Sequence, residues 1–386
     1  MSGLVPVLNT GSSSIKLAAY AGTDCRLRLT LGGIGSGRGA ALDIAMDRDG
    51  LLADAPEVPD LDAKRLLDWL LGWLAARLGP VRAVGHRIVH GGRHHAAPVV
   101  LTRAILDELR HLVPLAPLHE PHNLSGVAAA AAAWPGALQI GCFDTAFHRS
   151  QPPLHQRLPI PRALHDAGIQ RYGFHGLSYD YIAGVLPAHV GPRARGRVIV
   201  AHLGNGASLC AMRDGRSVAT TMGMTALDGL MMGTRTGAID PGVILHLIEE
   251  RGMPVGEVNR LLYEGSGLKG VSGLSGDMRT LEAAGTEAAE EAMALFALRA
   301  RQEIGAMAAS IGGLDVLVFT GGIGERSARM RARICEGMDW LGITLDPAAN
   351  ARHETAIGRG GQVEVLVLPT DEEAVIARAT LAVLAG

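Results

Sequence analysis

The sequence predicts an α/β protein made of two duplicated lobes, each built on a mixed sheet. Three observations predict it. A strand–turn–strand phrase occurs twice, first from Val7 to Tyr20 and again from Val200 to Met212. Short β-branched runs alternate with longer Ala- and Leu-rich helical patterns. The order is hairpins, then alternating β and α, then the same again, which is what duplication of an α/β unit leaves in a sequence.

Val7 to Tyr20 is an apolar run, a turn of Gly, Ser and Thr, and a second run, as expected of a hairpin. The segment from Gly35 to Ala40 fits the loose Gly-x-Gly-x-x-Ala form of a dinucleotide loop. The residues after Ala40 alternate like a strand and do not open a helix, so the segment is expected to be a surface hairpin. Ala63 to Leu78 has apolar residues at helical spacing. Val81 to Gly92 reads as a strand stopping at a glycine pair. Val127 to Trp134 is too short and too rich in Ala to span a bilayer, and reads as a packed helix. Leu138 to Asp144 is a strand with Asp144 at its carboxyl end. A Pro-punctuated stretch from Ser150 to Pro161 suits a lobe boundary, giving lobes of residues 1–148 and 149–372. The second hairpin, a strong helix from Glu287 to Gly305, and a buried strand from Leu314 to Thr320 fill the second lobe. A last helix, residues 373–386, is expected to return to the first.

The 386 residues are enough for two cores, and 48% apolar with 19% charged residues is ordinary for a globular protein. A net charge of −2 argues against a general nucleic-acid or membrane-surface role, since either normally needs a basic face. Cys25, Cys142, Cys210 and Cys335 lie far apart with no Cys-x-x-Cys pair, the usage of reduced thiols in a cytosolic protein. The N-terminus has no basic region followed by an apolar one, so a cytoplasmic location is expected.

Five segments carry candidate chemistry. At the first hairpin tip, Ser12, Ser13 and Ser14 with Gly11 and Lys16 can grip phosphate oxygens, and Asn9 offers a carbonyl to a metal; a solvated turn is about equally plausible for such a cluster taken alone. In Gly85-His-Arg-Ile-Val-His-Gly-Gly92, Arg87 sits among apolar strand neighbours. A buried guanidinium there demands an anion, and a carboxylate or phosphate fits its fork. His86 and His90 in the same strand lie roughly 13 Å apart, too far to share an ion, which argues against zinc. His175 lies in a tight Phe-His-Gly loop after Asp144; a lone histidine is more often structural, and its company is what singles it out. Arg235 lies in a Gly-bounded loop with the reach of an arginine finger acting in cis. Gly321-Gly-Ile-Gly324 reads as a Gly-rich turn between a buried strand and a helix, a form that binds nucleotides without side-chain clashes. Two phosphate-gripping hairpins in one chain suggest a fold that clamps a polyphosphate between its halves.

Together these phrases closely resemble the acetate kinase family, within the superfamily of sugar kinases, Hsp70 and actin. The resemblance runs from Val7 to Thr380. Its specific parts are Val-Leu-Asn-Thr-Gly-Ser-Ser-Ser-Ile-Lys and Gly-His-Arg-Ile-Val-His-Gly-Gly. It implies two ribonuclease-H-like (actin-like ATPase) lobes with an active-site cleft between them. It also implies reversible Mg²⁺-dependent transfer from ATP to acetate, giving acetyl phosphate and ADP, with propionate accepted and Mn²⁺ able to substitute, in a homodimer. Carried over by position, Asn9 and Glu372 would bind Mg²⁺, and Lys16, Ser12 and Ser14 phosphate. Arg87 would hold the substrate carboxylate, with Asp144 as the essential carboxylate, and His175 and Arg235 would stabilise the phosphoryl group. The nucleotide site would comprise His202, Leu203, Gly204, Asn205 and Gly206; Asp277, Met278 and Arg279; and Gly321, Gly322, Ile323, Gly324 and Glu325. Val89, Leu118, Phe174 and Ala226 would line the acyl pocket.

Four positions depart from the family pattern: Tyr179 replaces His, Ala238 an acidic residue, Asp371 an Asn, and Ala226 the proline that usually narrows the acyl pocket. Two other readings compete. A butyrate or branched-chain acyl kinase is disfavoured by the acetate-type phrases. An Hsp70- or actin-like ATP switch shares the hairpins but does not need Arg87, Arg235 and His175 together.

Overall fold

The computed structural model describes residues 3–11, 13–35, 39–360 and 362–386. Ser12 and the centre of the Gly35–Ala40 segment, residues 36–38, lie outside the described residues. The chain divides into two compact units, one of Met1–Phe147 with Asp371–Gly386 and one of His148–Thr370.

The first unit holds strands β1 (Val5–Thr10), β2 (Ser14–Ala21), β3 (Asp24–Gly32), β4 (Ala41–Asp47), β5 (Ala83–Ile88), β6 (Val99–Val100) and β7 (Leu138–Phe143). They form one mixed sheet in the order β4-β3-β2-β1-β5-β7-β6. β1 to β4 are an antiparallel meander, whereas β1, β5 and β7 run parallel. Parallel neighbours bring their carboxyl ends to one edge of the sheet, which is where Asn9, Arg87 and Asp144 fall. The helix Ala63–Leu78 starts where Asp62 caps it, its Oδ1 accepting from the Arg65 N–H at 2.9 Å. Leu66, Leu70 and Leu74 lie on its buried face and share one core with Leu17, Leu29 and Leu31. Each such leucine contributes about 2 kcal/mol by leaving water. The helices Glu120–Ala133 and Glu372–Ala385 both pack on β1 and β5. Gly85 permits the second of these contacts, because a Cβ there would lie 2.4 Å from Thr380 Oγ1.

The second unit holds β8 (Val198–Leu203), β9 (Ala207–Arg213), β10 (Arg216–Thr220), β11 (Val316–Thr320) and β12 (Glu364–Val367), in the order β10-β9-β8-β11-β12. β8 and β9 form the second hairpin, and β11 runs parallel to both β8 and β12. The strong helix runs on to Ile311, past the expected end at Gly305, and stops at Gly312 in the left-handed conformation. The Gly-rich segment also differs from expectation. A helix, Gly321–Arg326, begins directly after β11 with no intervening turn. Gly321 makes that possible: its φ is 77°, and a Cβ would lie 2.8 Å from the Leu203 carbonyl oxygen. No helix among the described residues is long and apolar enough to cross a membrane, and none of the four cysteines is in a disulfide.

Candidate active site

The anion that a buried strand arginine requires is supplied within the first unit. Arg87 reaches Asp144 through Nε at 3.2 Å and Nη2 at 2.5 Å, a two-pronged pair. Its Nη1 donates to Asn9 Oδ1 at 3.2 Å, and Glu372 Oε2 lies 3.6 Å from Nε. Burial works against the charge on Arg87, but Asp144 and Glu372 outweigh it and hold the guanidinium protonated. Burial pushes the Asp144 carboxyl up, the guanidinium draws it back, and Glu372 adds to the rise. Four of the expected residues, from β1, β5, the end of β7 and the C-terminal helix, therefore form one charged cluster. Lys16 is exposed on β2, paired in register with Asn9. Val89 is buried and Leu118 half-buried in the same unit.

A metal at this cluster would meet one amide oxygen and two carboxylates. That donor set is all oxygen, the kind that Mg²⁺ favours alongside water and phosphate.

Two buried polar residues that sequence reasoning passed over hold this edge in place. Asn123 accepts from the Val89 N–H at 2.9 Å and donates to the Thr10 carbonyl at 2.8 Å, tying the first hairpin to the segment after Arg87. Glu120 Oε2 accepts from the His90 N–H at 3.1 Å, while its Oε1 is buried with no hydrogen-bond partner among the described residues. Burial pushes the Glu120 carboxyl up from 4.5 to about 8, so it is a neutral acid at pH 7. Between those values the unfolded chain releases a proton that the folded chain retains, so stability falls as pH rises, by about 1.4 kcal/mol per unit. Glu120→Gln keeps the acceptor and removes that slope. Thermal melts should nearly coincide with wild type around pH 5 and favour the variant increasingly towards pH 8; parallel pH profiles would count against a neutral Glu120.

In the second unit, Gly173, Phe174 and His175 make the tight turn expected of them. Gly173 has a φ of 78° and a Cβ would collide with His148 and Thr220, 2.6 Å away. His175 itself is left-handed, with φ 58°, at the start of the helix Gly176–Val185. His148 is fully buried beneath the turn; its Nε2 donates to the Phe174 carbonyl at 2.8 Å, and burial lowers it to about 4, so it is neutral. His175 Nδ1 lies 2.8 Å from Ser208 Oγ on β9, and its ring stacks on His202 at 4.3 Å.

Arg235 converges on the same point. A Cβ at Gly206 would lie 3.1 Å from Arg235 Nη2 and 3.3 Å from His175 Nε2, so both nitrogens border the tip of the second hairpin. The loop carrying Arg235 is pinned along its backbone: Gly233 N–H donates to Asn205 O, Leu268 N–H to Met232 O, and Lys269 N–H to Gly233 O, at 2.8–2.9 Å. The reach lies in the side chain, whose Nη1 donates to the Ala226 carbonyl at 2.8 Å.

Beside the tip lies a cavity of about 410 Å³, within the size range of small-molecule sites. Of the residues proposed for the nucleotide, Gly204, Asn205, Asp277, Met278, Arg279, Gly322 and Ile323 line it. His202, Leu203, Gly206, Gly321, Gly324 and Glu325 are not on its wall. Glu325 turns back to accept from the Gly321 N–H at 2.9 Å, closing its own helix. The wall also contains Glu282 and Arg326, and Ser327, whose hydroxyl donates to Glu282 at 2.5 Å. Only the helix-capping position of Ser327 was a signal available from sequence.

The chain matches the Acetokinase family over residues 4–378. It is 48% identical to the acetate kinase of Methylocella silvestris, covering 100% of this chain and 98% of that protein. It is 49% identical to that of Rhodopseudomonas palustris, covering 98% of each. Among solved structures, Porphyromonas gingivalis acetate kinase superposes with a TM-score of 0.83 at 35% identity, over 99% of this chain and 100% of that one. A Francisella tularensis propionate kinase gives 0.90 at 32%, over 98% and 99%. With both the family match and these relatives spanning essentially its whole length, the chain belongs to the acetokinase family, kinases that transfer a phosphoryl group to a carboxylate.

Proposed function

We propose that the chain is an acetate kinase that also accepts propionate, transferring the γ-phosphoryl of ATP directly and reversibly to the acid. The observation that carries this is the meeting of Arg235 Nη2 and His175 Nε2 at the Gly206 tip, beside the cavity. Two nitrogen groups aimed at one point suit a phosphoryl group whose charge spreads over its equatorial oxygens. A carboxylate is ionised at pH 7, so no general base is needed to make the nucleophile. The work is positioning and charge stabilisation. Arg87 would present Nη1 to the acid while Asp144 occupies its Nε–Nη2 edge, Lys16 and Ser14 would hold phosphate, and Val89, Leu118, Phe174 and Ala226 are the residues proposed for the acyl group. Asn9, Glu372 and Asp144 would hold Mg²⁺, which when bound neutralises phosphate charge.

A hydroxylamine trap for acyl phosphate, run with Mg·ATP and acetate, propionate or butyrate, tests this. Signal with acetate supports the reading; signal with longer acids only would move it to the butyrate branch. ATP hydrolysis with no trapped product would favour an ATP switch. Ala226 supports the propionate arm, since it is smaller than the family's usual proline. Ala226→Pro should lower the propionate-to-acetate ratio of kcat/KM by roughly 10-fold, the scale of one methylene in an apolar pocket. An unchanged ratio would remove Ala226 from the pocket.

A homodimer is part of the same reading. The helix Pro241–Glu249 reads Pro-Gly-Val-Ile-Leu-His-Leu-Ile-Glu yet has no buried residue, and Val243 and Leu245 are 40% and 55% exposed. An apolar face of this kind suits a second copy, and a monomer by sedimentation would exclude it.

A further inference from the structure

We propose that Tyr179 acts through Ser208 to fix which ring nitrogen of His175 carries the proton, making it a positioning residue for phosphoryl transfer. This rests on the role of His175 proposed above.

Tyr179 lies one helical turn after His175 and its N–H donates to the His175 carbonyl at 3.1 Å. Its ring is fully buried and meets His148, which holds the Phe174 carbonyl, edge-on at 5.6 Å. Its hydroxyl lies 2.5 Å from Ser208 Oγ, and Ser208 Oγ lies 2.8 Å from His175 Nδ1. Ser208 is completely buried. The three side chains form an unbroken hydrogen-bonded line ending at the histidine ring.

The direction of that line is set by acidity. A phenol is a stronger donor and a weaker acceptor than an aliphatic hydroxyl, because its oxygen lone pair is delocalised into the ring. Tyr179 therefore donates to Ser208, and since the buried Ser208 hydroxyl has His175 Nδ1 as its other partner among the described residues, its single proton is turned there. In a neutral imidazole, a nitrogen that accepts leaves the proton on the other. The proton is thus held on Nε2, the nitrogen beside Arg235 Nη2 at the Gly206 tip. Nε2–H can donate to a phosphoryl oxygen; the other tautomer would present a lone pair to an anion. Burial pushes the Tyr179 hydroxyl well above its ordinary range, so it stays protonated and the line keeps its direction at any working pH.

The test is long-range ¹H–¹⁵N NMR of the full chain labelled at histidine, with His175 assigned by its loss in His175→Asn. Wild type should show His175 as the Nε2–H tautomer. Tyr179→Phe removes only the hydroxyl and should give a mixture, with kcat lowered roughly 10-fold and KM for ATP little changed. Ser208→Ala should do the same, and the double variant should be no worse than Ser208→Ala alone, because both break one line. Should Tyr179→Phe fold poorly, Ser208→Ala carries the tautomer test. A pure Nε2–H signal in both variants, or additive losses of kcat, overturns the proposal. The tautomer reading does not depend on turnover. An enzyme that makes no acyl phosphate but shows the expected tautomers would therefore refute only the proposed function.

Discussion

Replacing Arg235 with Ala is expected to lower kcat by roughly 10³-fold or more, with KM for ATP and acetate changed only a few-fold. The geometry gives the reason. The Arg235 loop is tied to Asn205, Leu268 and Lys269 through its backbone, so truncating the side chain leaves the loop where it is. What disappears is the guanidinium beside Gly206 and His175 Nε2. A group that meets charge developing in the transition state affects kcat; a group that merely holds ATP affects KM. Arg235→Lys should recover little, because an ammonium cannot anchor to the Ala226 carbonyl and still present a second fixed donor. Steady-state kinetics by the hydroxylamine trap decide it. A change confined to KM would place Arg235 in ground-state binding and leave His175 as the main contact with the phosphoryl group.

The parts of this molecule that were legible in its sequence are those fixed by neighbours in the chain. The helix Ala63–Leu78 matches its expected span, because Asp62 caps it and its leucines repeat at the helical period. Both hairpins were legible from the Gly-, Ser- and Asn-rich turns between apolar runs, and Asp144 sits just past the end of β7 because Leu138 to Phe143 is apolar enough to define the strand. Long-range pairings could not be read this way. The partner of Arg87 lies 57 residues away, and Asn123 reaches Thr10 across 113. Sequence shows that a buried Arg87 needs an anion but not that the chain provides one. It gives even less warning of Glu120, whose burial comes from packing of its helix on β1 and β5.

The glycines near residue 321 make a related point. A Gly-rich stretch after a strand reads as a loop, since glycine weakens helices. Here the helix begins at once, because Gly321 alone can approach the Leu203 carbonyl and take a positive φ. The helix is then held at its far end by Arg331, fully buried, whose Nη1 donates to the carbonyls of Gly324 and Glu325 at 2.9 Å. Tertiary contacts outweigh the local propensity, and nothing within the segment records them.

Asp144→Asn is expected to lower kcat by about 10²-fold or more and to raise the Mg²⁺ concentration needed for half-maximal rate. The carboxylate is 1% exposed and takes both Nε and Nη2 of Arg87. Asparagine keeps the shape but offers one acceptor in place of two and no charge, leaving Glu372, 3.6 Å from Nε, as the neighbouring anion. The guanidinium is then free to swing towards Glu372 and Asn9, the other two groups proposed to hold the metal. Orientation of the acid and metal affinity should therefore suffer together. Stability should fall by about 1–3 kcal/mol, since one charge-assisted hydrogen bond in a buried pair is lost. Measuring kcat across a Mg²⁺ series beside the melting temperature separates the causes. A folded variant with low kcat that excess Mg²⁺ partly restores places Asp144 at the metal. Low kcat that no Mg²⁺ concentration improves assigns it to aiming Arg87 alone. Full activity at ordinary Mg²⁺ would mean that Arg87 does not need Asp144, and the charged cluster would then be structural.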